Sequence, residues 1–245
     1  MKLQYHRATF ALLGRLPRVS PVARRKLRKL ERHGWINLPP AVREWYLLKG
    51  AASLLAKPFA GSVVDITKRR SKDLAEVREG DLLSVLHENQ GVCSWAVLID
   101  GSADPPVFIR RNAGVPKWEK YADHFSTFVY ALIWDGTVVG ERGWRLTAEN
   151  ISLSKKDVAL LRKGFRAGPT TPVWPGQHNY RAFKDDQRVL IWQSSKGSSV
   201  YLHASSRDSL AILTKKAWRV GGLHKKLHGF TRAEDTMLKQ LQNGA

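Results

Sequence analysis

An α+β fold, built on a central, largely antiparallel sheet flanked by helices, is the architecture this sequence predicts. Three observations carry that expectation. Strand-like runs come in two clusters joined by short turns. Helical periodicities bracket the clusters instead of alternating with single strands, the pattern of α+β rather than doubly wound domains. The composition, 43% hydrophobic with nine tryptophans and 25% charged residues, supplies a core and excludes wholesale disorder. At 245 residues the chain fits one large domain or one domain with a sizeable appendage. The division expected is a basic lead over 1–19, an α+β domain over 20–149 and a basic α+β extension over 150–245, the last either packed on the same domain or separate.

Val19, Ala23, Leu27 and Leu30 recur at three- and four-residue intervals, so residues 15–32 read as an amphipathic helix, ended by Gly34. Leu38-Pro39-Pro40 opens a second helix, because the N–H that proline lacks has no intrahelical partner in a first turn. Val42, Trp45, Tyr46 and the stem of Lys49 continue it and Gly50 closes it. Residues 65–81 are polar and predict a loop or sheet edge. Three β-like runs follow, Leu82 to His87, Val92 to Ile99 and Val107 to Arg110, with turns at Asn89-Gln90-Gly91 and Asp104-Pro105-Pro106, which together make an antiparallel meander. Phe125, Phe128, Val129, Leu132 and Ile133 then share one helical face, with Ser126 as N-cap and Asp135-Gly136 as the stop.

The second half repeats the logic with different residues. Ser154 and Asp157 make a capping-box pattern ahead of Val158, Leu161 and Phe165. A Pro/Gly-rich stretch from Gly168 to Gly176 precedes strands at about 179–184, 187–194 and 198–204, turned by Asp185-Asp186 and Lys196-Gly197. Ser206 to Lys216 reads as a serine-capped helix, and Thr231 to Glu234 is a second capping box opening a C-terminal helix through Met237, Leu238 and Leu241.

Charge separates the chain into three parts. Lys and Arg number 41 against 21 Asp and Glu, a formal net charge of +20, a balance that points to a polyanion partner. Residues 1–64 carry +11, residues 65–149 carry −2 and residues 150–245 carry +11. The densest cluster is Arg24, Arg25, Lys26, Arg28, Lys29 and Arg32. Such a stretch serves as a solvated helix face, a nucleic-acid contact, a membrane-surface anchor or a transit peptide. The nucleic-acid reading lacks zinc-finger spacing, an aromatic RNA-binding signature and a helix-turn-helix pattern. No window reaches the roughly 18 apolar residues of a membrane span, and a single cysteine, Cys93, forms no internal disulfide, which points to a reducing, cytoplasmic compartment.

Motifs of catalysis are largely missing. His224 and His228 keep the spacing of a metalloprotease helix but enclose lysines where the general base belongs. No glycine-rich phosphate loop occurs, and Ser152 with Lys155 lacks the companion motifs of a serine–lysine hydrolase. Cys93, between Val92 and Ser94 in an apolar run, reads as a buried inert thiol. Glu88 would need Asp100 or Asp104 at its side for paired-carboxylate chemistry. The expectation is therefore a protein without catalytic residues, metal or cofactor.

Taken together, three of these motifs resemble the SUKH superfamily, which includes bacterial immunity proteins and the Smi/Knr-type fungal cell-wall regulators. Leu30-Glu31, Gly34, Leu38-Pro39-Pro40, Trp45-Tyr46 and Gly50 are similar to the family's opening. Glu88-Asn89-Gln90-Gly91-Val92-Cys93-Ser94-Trp95-Ala96-Val97 resembles its central hairpin. Asp104-Pro105-Pro106-Val107 resembles the turn into the next strand, and Phe125-Ser126 to Trp134-Asp135 its closing helix. The resemblance covers about residues 20–140. It implies a non-enzymatic domain that binds a protein, with toxin neutralisation its most concrete version, and it is densest at Glu88, Asn89, Gln90, Trp95, Asp104 and Pro106. The alternative is a basic protein that holds the phosphate backbone of nucleic acid through Arg24, Arg25, Lys26, Arg28, Lys29 and Arg32 and its basic C-terminal half.

Overall fold

A computed structural model describes residues 2–32, 36–55, 61–69, 76–112, 117–140, 142–172 and 178–244. Its chain is α+β, with two antiparallel sheets. Residues 1–134 and 135–245 form two compact units.

The first unit opens with four helices. Helix α1, Arg7–Leu12, is short, and α2, Pro21–Arg32, buries Ala23, Leu27 and Leu30 while its other faces point outward. Helix α3, Pro40–Leu47, begins at the expected prolines and buries Val42, Trp45 and Tyr46. It stops at Leu48, which turns extended to bridge Val19. Lys49 is therefore exposed, and Gly50, at φ 71°, precedes α4, Ala51–Leu54, rather than closing α3. Gly34 lies outside the described residues. The basic lead packs within the first unit. Leu3, His6 and Phe10 are buried, and the Glu44 carboxylate on α3 accepts hydrogen bonds from the backbone N–H groups of Gln4, Tyr5 and His6 at 2.8–3.0 Å.

Five further segments of this unit pair with one another, β1 (Ser62–Val63), β3 (Leu82–His87), β4 (Cys93–Leu98), β5 (Val107–Arg111) and β6 (Glu119–Ala122), in that order across the sheet, and β2 (Arg78–Glu79) adds to β3. The meander β3-β4-β5 follows the expected runs to within a residue or two. Trp95, in the middle of β4, sits 1% exposed with its ring edge-on to Tyr121, which packs on Phe128. The long helix α5, Phe125–Val139, covers the expected apolar face.

Two expectations about α5 are corrected. Its first turn is held by the Asp104 carboxylate, which accepts from the Ser126 N–H at 2.9 Å and from the Ser126 hydroxyl at 2.5 Å, so Ser126 is a donor and not the cap. Asp135-Gly136 does not stop the helix, because the Asp135 side chain is wholly buried against Arg181 instead of facing backbone.

The second unit holds β7 (Trp144–Ile151), β8 (Arg166–Ala167), β9 (His178–Lys184), β10 (Gln187–Ser194), β11 (Gly197–Ala204) and β12 (His228–Gly229), ordered β12-β7-β11-β10-β9-β8. A division at 149/150 would cut β7, whose residues 144–148 pair with β11; the strand belongs to the second sheet. Both capping boxes form as expected, Ser154 with Asp157 on α6 (Lys155–Arg162) and Thr231 with Glu234 on α9 (Arg232–Asn243). Between them lie α7 (Arg207–Ala217), capped by Ser206, and the one-turn α8 (Leu223–Lys226). Part of the Pro/Gly-rich stretch, residues 173–177, lies outside the described residues. The core of this unit is aliphatic, drawn from Leu146, Val189, Ile191, Leu202, Leu210, Leu213 and their neighbours.

Candidate functional site

The six positions at which the family resemblance is densest do not form one patch. Glu88, Asn89 and Gln90 lie in the β3–β4 turn, whereas Asp104 and Pro106 precede β5, at the other end of β4. Six residues of strand at about 3.3 Å each put roughly 20 Å between the two ends. Trp95, between them, is core. The same separation keeps Glu88 from Asp100 and Asp104, beyond the roughly 5–9.5 Å of a paired-carboxylate site.

Each carboxylate instead organises its own loop. Glu88 Oε2 accepts from the N–H of Gln90 at 2.7 Å and of Val92 at 3.1 Å, and the Glu88 N–H donates to the Cys93 carbonyl at 3.0 Å. Asn112, at the end of β5, donates its side-chain amide to the Gly91 carbonyl at 2.8 Å and accepts from the Ser94 hydroxyl at 3.0 Å. Gly91, at φ 71°, supplies the left-handed residue this turn requires. The result is a tied hairpin tip with Asn89 and Gln90 exposed and Val92 48% exposed. Asn112 was not legible as part of this group, because only strand register brings β5 beside the turn.

Cys93 is 0% exposed and burial, with the Glu88 charge, pushes its thiol up to about 12, so at neutral pH it is not a nucleophile. The metalloprotease-like histidine spacing is not realised: α8 ends at Lys226, and His228 sits on β12. Among the described residues no group of three or more His, Cys, Asp or Glu side chains is placed to hold a metal. Ser152 and Lys155 are exposed at the entrance to α6.

Helix α2 is the site of the cationic cluster. All six of Arg24, Arg25, Lys26, Arg28, Lys29 and Arg32 are exposed, and among the described residues none is in an ion pair. Glu31, the one acid of the helix, is held by Arg43 of α3 at 2.7 Å. At 3.6 residues per turn the six cations sweep an arc of about 200°. Arg24, Arg28 and Arg32 stack at i, i+4 and i+8, and Arg25 with Lys29 at i, i+4. Like charges so placed each destabilise a helix by about 0.2–0.5 kcal/mol. The first turn carries Arg24 and no acid, opposite to what the helix dipole favours.

The second unit buries charge that the sequence did not announce. Arg181 and Asp135, both 0% exposed, pair at 2.7 Å through Nε and Nη2, and Arg181 also donates to the Pro169 carbonyl and the Thr171 hydroxyl. Burial pushes the Asp135 carboxyl up, opposed by the Arg181 guanidinium. Arg145, whose guanidinium lies over the Phe230 ring, gives its backbone N–H to the Glu234 carboxylate at 2.8 Å, with Nε 4.0 Å from the same oxygen. An open cleft of about 520 Å³ is lined by Trp144, Ala233, Met237, Arg207, Arg232 and Gln240, and the buried Arg181–Asp135 pair is not part of it.

No family model matches the chain, and no match was found among curated proteins or solved structures. Among the described residues no helix is long and apolar enough to cross a membrane.

Proposed function

We propose that residues 20–140 act as a SUKH-type, non-enzymatic protein-binding module whose contact is the Glu88–Val92 hairpin tip, with neutralisation of a toxin by occlusion as its most specific form and the cytoplasm as its compartment. The observation that carries this reading is the tied tip itself. Glu88 and Asn112 spend their polar atoms on the backbone of the turn and on Ser94, which fixes the loop and leaves the Asn89 and Gln90 amides and the Val92 side chain facing solvent. A loop ordered before binding loses less entropy on docking, and amides beside an apolar side chain suit a polar protein surface. The order of elements adds support. A proline-opened Trp45-Tyr46 helix, the hairpin, the Asp104-Pro105-Pro106 turn and the helix from Phe125 occur in the sequence implied by the resemblance. Glu88 and Asp104 serve the fold, Trp95 serves the core and half-buried Pro106 gives its carbonyl to the Leu98 N–H at 3.1 Å, so Asn89 and Gln90 are the fully exposed resemblance positions left to touch a partner.

The test is co-purification of the tagged chain from its native cells after nuclease treatment, alongside an Asn89→Ala/Gln90→Ala/Val92→Ser variant of unchanged circular dichroism. One stoichiometric protein present with the parent chain and lost with the variant is the expected result. A protein retained equally by both, or none with either, overturns the proposal.

A further inference from the structure

The basic face of α2 remains outside that reading, and its geometry is more specific than its charge. Eight of the twelve residues of the helix are exposed, six of them Lys or Arg. The membrane-anchor use of such a helix requires its apolar side to lie in the lipid interface. Here Ala23, Leu27 and Leu30 are 6%, 0% and 4% exposed, committed to the core of the first unit. What faces solvent is a convex cylinder with cations over more than half its circumference. It carries no aromatic ring on which an unpaired base could stack. It also carries no Asn, Gln or Asp to read an adenine or cytosine edge, and Glu31 is occupied by Arg43, which leaves only Arg and Lys to meet the groove.

We infer that α2 docks in the major groove of duplex DNA and holds the phosphates of both walls. The major groove of B-form DNA, about 12 Å wide, admits an α-helix, whereas that of duplex RNA is deep and narrow. Arg24, Arg28 and Arg32 rise in steps of about 6 Å along one flank and Arg25 and Lys29 lie beside them, so an arc of cations reaches two rows of phosphates at once. Phosphate charge also relieves the like-charge stacking and the unfavourable first turn that the free helix bears.

The experiment measures binding of the full chain to a 20-base-pair mixed-sequence DNA duplex by fluorescence anisotropy between 50 and 200 mM KCl. Six phosphate contacts predict a slope of log K against log salt of about −5. Arg24→Gln/Arg28→Gln/Arg32→Gln is expected to bring the slope to about −2 to −3. The control Lys215→Gln/Lys225→Gln/Lys226→Gln removes the same charge from exposed positions of the second unit and is expected to leave the slope unchanged. Thermal melts of both variants verify folding. Equal losses in the two variants mean that net charge alone binds, and overturn the inference. Tighter binding to duplex RNA of the same length, or to vesicles containing phosphatidylserine, overturns it as well.

Discussion

The two units solve the placement of charge in opposite ways. In the first, the described buried polar residues are His6, Thr9 and Ser94, and the core sets rings among its aliphatic side chains, with Trp45, Trp95, Phe125 and Phe128 all nearly or fully inaccessible. Its carboxylates stay nearer the surface and cap backbone: Glu44 the entry to α1, Glu88 the hairpin, Asp104 the start of α5. In the second, the apolar core is aliphatic and Asp135, Arg145, Arg181 and Glu234 lie beneath the surface. Charges held near the surface can be removed at modest cost, whereas charges sealed inside must go in pairs.

The largest effect expected from that contrast is in the second unit. Arg181→Met leaves Asp135 buried without its guanidinium and is expected to cost about 3–5 kcal/mol, while the double change Arg181→Met/Asp135→Leu recovers much of the loss. Urea denaturation of the three proteins checks this, and equal destabilisation by the single and double changes would break the contrast. In the first unit Glu44→Ala abandons three N–H groups and is expected to cost about 2 kcal/mol, with hydrogen exchange of the Gln4, Tyr5 and His6 amides accelerated.

A smaller effect is set by pH. His6 lies against the Trp45 and Phe125 rings, and its Nε2 donates to the Ala41 carbonyl at 2.9 Å; burial holds its pKa below the ordinary value. His87 and His203 are lowered too, each chiefly by burial and further by nearby arginines. The folded protein thus refuses protons that the unfolded chain accepts near pH 6.5. Stability is complete above about pH 6.5 and falls as pH drops from there toward the folded values. Denaturation free energies at pH 7.5 and 5.5 should differ in that sense, and His6→Asn should shrink the difference. The smallest effect sharpens the functional reading: Asn89→Ala/Gln90→Ala is expected to change stability by no more than about 0.5 kcal/mol, measured by the same urea titration.

The same contrast decides what the sequence disclosed. Periodicity, capping boxes and turn residues act over a few neighbours, so the meander from Leu82 to Arg111, α6, α9 and the strands from His178 to Ala204 were legible almost to the residue. Asp135-Gly136 misled because a local stop signal lost to a tertiary partner 46 residues away. Asp104 capping Ser126 and Glu44 binding residues 4–6 were invisible for the same reason, as each depends on a contact across elements. Of the candidate site, the cationic helix could be read from one stretch. The splitting of the six resemblance positions between the two ends of β4 emerged only once strand direction was known.

The edges of the two sheets bear on how any partner can attach. Among the described residues β1, β2, β8 and β12 are two residues each, and β6, the longest edge, offers Glu119 and Lys120 to solvent. These strands cover only part of their neighbours, since β12 pairs with Leu146 and Thr147 of β7 alone and β8 with Ala182 and Phe183 of β9 alone. Short and charged edges discourage the strand-to-strand recruitment by which chains add to one another and aggregate. Among the described residues, side chains displayed on turns and helices, such as Asn89, Gln90 and the cations of α2, offer a partner exposed contacts outside these edges.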